Sequence, residues 1–215
     1  MTGGKKTTPP SSGGGGACAD GSSPPCPSPT PATWTVDDLK KNLAACDGGT
    51  GVWAAAKAAN GGVDPTVQTG SSAIGTGGSV DTSKGVITLD TSQDKCFATQ
   101  VLVQELSNLS HKADFFTAAN SAAAGDLSRE EFIKANEKPE YDGVQNVIKA
   151  FDNCKGKWGC TTCEKEWARK YTTFDDYYAK ALSNTHKEHY GKWWDDHYKA
   201  AYDAKHPASP PPKSP

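Results

Sequence analysis

A predominantly helical α+β domain is predicted by three features of the chain. Apolar residues recur at helical spacing through most of the stretch between Val36 and Lys205. One run, Gly85-Val-Ile-Thr-Leu-Asp90, is β-branched and bounded by turn formers, the pattern of a strand. Aromatic residues crowd into the last third, where Tyr190, Trp194, His197 and Ala201 fall on one helical stripe. The expected architecture is a small strand component packed on a central helix, followed by aromatic-rich C-terminal helices.

Residues 1–32 are Gly, Ser, Thr and Pro with little to bury, which predicts a disordered tail or linker. A single globular domain is expected over residues 33–205, and the Pro-rich residues 206–215 read as a second loose tail. Thr35-Val-Asp-Asp38 has the form of a capping box, opening a helix whose apolar face is Val36, Leu39, Leu43 and Cys46. Asp47-Gly-Gly is expected to stop that helix, with an Ala-rich helix following over Val52 to Asn60 and closed by Gly61-Gly62. Thr66 to Ile74 has a strand-like alternation, and Gly75 to Lys84 reads as a Gly/Ser turn. After the strand at 85–90, Thr91 to Asp94 offer N-caps for a central helix reaching His111. Asp114 to Ala124 continues helical, and Ser128-Arg-Glu-Glu131 is a second capping box. The helix that it opens carries Phe132, Ile133, Val144, Val147, Ile148 and Phe151 on a buried face, with Pro139 expected to kink or interrupt it. Helical signal returns over Glu164 to Leu182 and Thr185 to Lys205.

A formal net charge of −2 gives no general attraction to nucleic acid or anionic membrane, so neither is expected as a partner. No apolar run approaches the roughly 20 residues needed to span a bilayer. Met-Thr-Gly-Gly-Lys-Lys has charge but no apolar segment behind it, so secretion by a signal-peptide-independent route, or action inside a target cell, is expected. Seven cysteines (18, 26, 46, 96, 154, 160 and 163) are many for a reducing cytosol and point to an oxidising space. Cys154, Cys160 and Cys163 lie close in sequence, and a disulfide from Cys154 to Cys160 or Cys163 is expected to close the turn between helices. The Cys160-Thr-Thr-Cys163 spacing also suits a zinc knuckle or a redox pair.

The chemistry-bearing stretch is Gln104-Glu-Leu-Ser-Asn108 on the central helix. Gln104 and Asn108 stand at i and i+4 on one face, with Glu105 between them and His111 one turn further. The later helix supplies Glu137, Glu140 and Tyr141. This layout resembles the zincin-like metallopeptidase toxin domains of bacterial polymorphic toxins and secretion-system effectors, with Gln-Glu-x-x-Asn in place of His-Glu-x-x-His. The resemblance covers roughly Thr50 to Phe151. It implies a hydrolase-type effector in which Glu105 is acid or base and Glu137 or Glu140 the later acid. Gln104, Asn108, His111 and Tyr141 would orient substrate. Amides are poor zinc ligands, so no metal and no cofactor is expected.

Two readings of the cluster stand side by side. Paired carboxylates do general acid–base work when burial separates their pKa values. Alternatively, the same residues are solvated faces, or amides knitting two helices together. The C-terminal aromatic helix offers a second function class, an inert binding module docking a protein or a cell-envelope component. His189, Trp193 and His197 on that helix recur four apart, a spacing that also suits a transition metal. A cognate immunity or delivery protein is the other expected partner. No Gly-x-Ser-x-Gly, P-loop or dinucleotide fingerprint occurs.

Overall fold

The structure, a computed structural model, describes residues 34–71, 77–160, 171–180 and 183–207. Its elements in order are α1 (Val36–Ala44), α2 (Asp47–Ala59), β1 (Thr66–Thr69), β2 (Gly78–Asp81), β3 (Val86–Leu89), α3 (Lys95–Ser110), α4 (Lys112–Ala123), α5 (Arg129–Trp158), α6 (Phe174–Lys180), α7 (Ser183–His197) and α8 (Lys199–Lys205). The fold is α+β and mostly helical, as the periodicity indicates. Neither tail is described in full, so the expectations for residues 1–32 and 208–215 lie outside the described residues.

Both capping boxes form. Thr35 accepts from Asp38 N–H at the start of α1, and Ser128 does the same with Glu131 at the start of α5. Asp94 caps α3, its carboxylate accepting from Phe97 N–H at 2.8 Å. Pro139 does not interrupt α5, which runs as a single 30-residue helix with the proline buried inside it.

Two local expectations are corrected. Asp47-Gly-Gly does not end a helix; it begins α2. Glycine is required there because the two helices meet at close range: a Cβ on Gly49 would lie 2.3 Å from the Leu43 carbonyl oxygen. The Gly/Ser stretch after Gly75 is not all turn, since β2 lies within it. Its alternation is too weak to read, and the strand exists because β3 supplies its hydrogen-bonding edge. β3 is the central strand, parallel to β1 (Thr66 opposite Val86) and antiparallel to β2 (Gly78 opposite Leu89).

α3 is the axis of the domain. Every residue from Ala98 to Leu109 is buried, because α2, α5 and the β2–β3 face cover it on different sides. The main core joins Leu39, Leu43, Ile87, Leu89, Leu102, Leu106 and Leu109 to Val144, Val147 and Phe151 of α5. Asn42 ties the layers together: its amide donates to Thr99 at 2.9 Å, and its carbonyl accepts from the Trp158 indole at 2.8 Å. A smaller core of Ala118, Ala122, Phe132 and Trp194 docks α7 and α8 on α4 and α5.

The cysteine pairing differs from the expectation. Cys154 bonds to Cys46, not to Cys160 or Cys163, and Cys160 bonds to Cys96. Cys154 lies inside the last turns of α5 facing α2, so its neighbour in space is a residue 108 positions away. Cys163 lies outside the described residues. Two interleaved disulfides fit a non-reducing setting. Among the described residues, no helix is long and apolar enough to cross a membrane.

Candidate active site

The site is built where α3 crosses α5 beneath α7. The polar stripe Gln104, Glu105, Asn108 faces Glu140 of α5, and all four are buried, with Glu105 and Glu140 each 7% exposed. Gly143, one turn after Glu140, permits this approach: a Cβ there would fall 2.6 Å from Gln104 Nε2. With that space open, Gln104 Nε2 donates to the Glu140 backbone carbonyl at 3.0 Å and to its Oε2 at 3.2 Å. Asn108 Nδ2 donates to Glu140 Oε2 at 2.9 Å and, more weakly, to Glu105 Oε2 at 3.4 Å. One amide nitrogen thus touches both carboxyl groups, which are therefore neighbours.

α7 completes the site with residues that the sequence did not single out for it. The Tyr190 hydroxyl donates to Glu140 Oε1 at 3.0 Å. His186 Nδ1 lies 3.8 Å from Glu137 Oε2, an ion-pair contact longer than a hydrogen bond. Glu137 is fully buried, one turn before Glu140 on α5, where it acts on both His186 and the Tyr177 hydroxyl. His186 and Tyr190 are four apart, so one face of α7 addresses two carboxylates.

Burial raises the Glu105 carboxyl to about 8, and the adjacent charge of Glu140 adds to the effect; His186 and the Asn108 bond oppose it only in part. At neutral pH Glu105 therefore holds a proton. For His186 the order is reversed. Burial alone would push the imidazole down, but Glu137, with Glu140 behind it, holds it up to about 9. Burial also drives the Tyr177 and Tyr190 hydroxyls above the ordinary phenol range, helped by the charges of Glu140 and Glu137. The result is a proton-bearing carboxyl beside a hydrogen-bonded carboxylate, with an imidazolium nearby.

These groups floor a cleft of about 850 Å³, within the range of small-molecule sites. The edge strand β2 forms one wall, Phe115 and Phe116 of α4 a second, and Tyr190 and Trp193 of α7 a third. Gln104, Glu105, Asn108 and Glu140 line the cleft together. Glu137 stands behind it, reaching it through His186.

Two expected substrate-orienting residues lie elsewhere. His111 is the C-cap residue of α3, and its Nδ1 pairs with Asp114 at 2.8 Å; the helix ends before the ring can turn toward the cleft. Tyr141 follows Glu140 by one residue, so its ring points away to pack on Phe174 and Tyr177. His189, Trp193 and His197 do form a ladder of ring contacts along α7. Among the described residues, no three His, Cys, Asp or Glu side chains are grouped to hold a metal.

Comparison with protein-family models, characterised proteins and solved structures gives no match.

Proposed function

We propose that this chain is a hydrolase of the effector or toxin type, acting in a non-reducing compartment, with Glu105 as proton donor and Glu140 as its partner base. The observation that carries the reading is the shared amide of Asn108: it holds two buried carboxyl groups side by side, with the proton on Glu105. A carboxyl group that keeps its proton beside a second carboxyl group can work with it as an acid–base pair. Glu140 accepts a proton from the attacking water, and Glu105 gives its own to the leaving atom of the cleaved bond. The pair is then left with its proton transferred and is reset by exchange with solvent. Gln104, Asn108 and Tyr190 hold Glu140 in place. Buried carboxyl groups are costly to a fold that has no use for them, and the placing of Glu105 and Glu140 together in the lining of a cleft favours a working site over a structural knot. The position of Glu105 directly after Gln104 is that of the acid–base glutamate in the zincin-like toxin domains that this helix resembles.

The test compares the wild type with Glu105→Gln, expressed in a bacterial cytoplasm and in the periplasm, and then as purified protein on peptide pools and cell-envelope preparations. Wild-type toxicity or bond cleavage that disappears in Glu105→Gln, with the fold retained by circular dichroism, supports the reading. Equal behaviour of the two proteins removes it. A second reading, a binding module without catalysis, is favoured by one observation: Trp193 is 47% exposed at the cleft mouth.

A further inference from the structure

The cleft carries an unbalanced charge and an excess of acceptors. Glu105 and Glu140 line it and Glu137 lies just behind, while no Lys or Arg occurs among its described lining residues. Two imidazoles line it: His186, largely buried and paired with Glu137, and His189, exposed at the mouth. Gln104 Oε1, at the floor, is buried with no hydrogen-bond partner among the described residues. Glu105, 7% exposed, has only the 3.4 Å contact from Asn108 among the described residues. Two of the walls are rings, Phe115 and Phe116 on one side and Tyr190 and Trp193 on the other, and ring faces attract cations.

We propose that the cleft binds an organic cation, an ammonium or guanidinium group on an apolar body. The charged end sits against Glu105 and Glu140, and the body lies between Trp193 and Tyr190 on one side and Phe115 and Phe116 on the other. A guanidinium suits the floor best, because it offers several N–H donors to acceptors that lack them. An anion would meet the Glu140 charge in a desolvated site. A neutral molecule would leave that charge without a counterion.

Seating a cation favours the ionised form of Glu105. The titratable groups that line the cleft with it are Glu140 from α5, His186, His189 and Tyr190 from α7, Tyr177 from α6, Tyr171, Tyr198, and Asp81 at the β2 wall, and of these Glu140 and His186 act most on its charge. Binding therefore expels the Glu105 proton below about pH 8, and affinity rises as pH approaches that value. The inference uses only the charge and lining of the cleft and does not rest on the hydrolytic reading.

Titration calorimetry on the full chain with its disulfides intact tests it, using benzylguanidinium, its neutral isostere benzylurea, and phenylacetate. Benzylguanidinium is expected to bind at pH 7 with proton release, seen as a heat that depends on the buffer's ionisation enthalpy. Benzylurea should bind about tenfold more weakly or less, and phenylacetate should not bind. Glu140→Gln should weaken benzylguanidinium about tenfold. Should that variant fail to fold, Trp193→Ala, at a half-exposed position, should weaken it severalfold with the fold intact. Phenylalanyl-argininamide binding more tightly than benzylguanidinium assigns a peptide's basic side chain as the source; the reverse order assigns a free cation, and both uphold the charge. Benzylurea binding as well as benzylguanidinium, phenylacetate binding best, or no binding by any of the three overturns the proposal. None of those results touches Glu105-dependent hydrolysis, and a protein without hydrolysis can still bind the cation.

Discussion

Tyr190 donates its hydroxyl to Glu140 across 50 residues of chain, at 3.0 Å. This bond fixes the C-terminal helix over the floor of the cleft and makes the last third of the chain part of the site. Tyr190→Phe keeps the ring and removes the donor. It should destabilise the protein by about 1–3 kcal/mol, the cost of leaving a buried charged acceptor short of a partner. Urea unfolding followed by tryptophan fluorescence measures it; an unchanged midpoint would show that the bond does not form in solution.

Stability should fall as pH rises from about 5 to 9. Glu105 is raised from 4.5 to about 8 on folding, so the folded state binds the extra proton across that window and loses the benefit as pH climbs through it. His186 is raised from 6.5 to about 9, and its contribution, complete below 6.5, is lost as pH passes 9. The two act in the same direction and together are worth on the order of a few kcal/mol. Thermal unfolding in a pH series should show this decline, and Glu105→Gln, which is neutral throughout, should flatten its lower half. A stability that rises between pH 5 and 8 would oppose both assignments.

Two glycines of α2 make a paired test of the packing. Gly49→Ala drives a methyl into the Leu43 carbonyl and should cost about 1–3 kcal/mol or more. Gly51 has open space around its Cβ position, and Gly51→Ala should instead gain about 0.5–1 kcal/mol of helix propensity. Calorimetric melting of the two variants against wild type should give shifts of opposite sign.

Peptide mapping without reductant should recover Cys46 joined to Cys154 and Cys96 joined to Cys160. Closing a separation of 108 residues restricts the unfolded chain, and its loss typically costs about 2–5 kcal/mol. Reduction should accordingly lower the melting temperature by many degrees. A fragment joining Cys154 to Cys160 would reverse the assignment.

The contrast between what the sequence revealed and what it hid has physical causes. Local rules carried the capped ends at Thr35 and Ser128, the strand at 86–89, and the polar face of α3, because each depends on residues within a few positions of one another. The same rules left open whether Gln104, Glu105 and Asn108 form a working site, a solvated face or a seam between two helices. They are buried because α5 and α7 cover that face, a contact that periodicity along α3 cannot encode. Cys46 and Cys154 are brought together by the crossing of α2 and α5, so proximity in sequence misled. His186 and Tyr190 looked like packing in an aromatic helix. The available signal was their spacing of four, matched against the acids Glu137 and Glu140 spaced by three on another helix. β2 lay hidden in a Gly/Ser run because its stability comes from β3 rather than from its own side chains.

The proposed acid–base chemistry depends on the proton that Glu105 holds beside Glu140. Carbon-detected NMR of ¹³C-labelled glutamate side chains, with the Glu105 resonance identified by its absence in Glu105→Gln, follows that proton directly. The expected result is a carboxyl titration with a midpoint near 8, moved downward when benzylguanidinium is bound. A Glu105 carboxyl that titrates near 4.5 would contradict it.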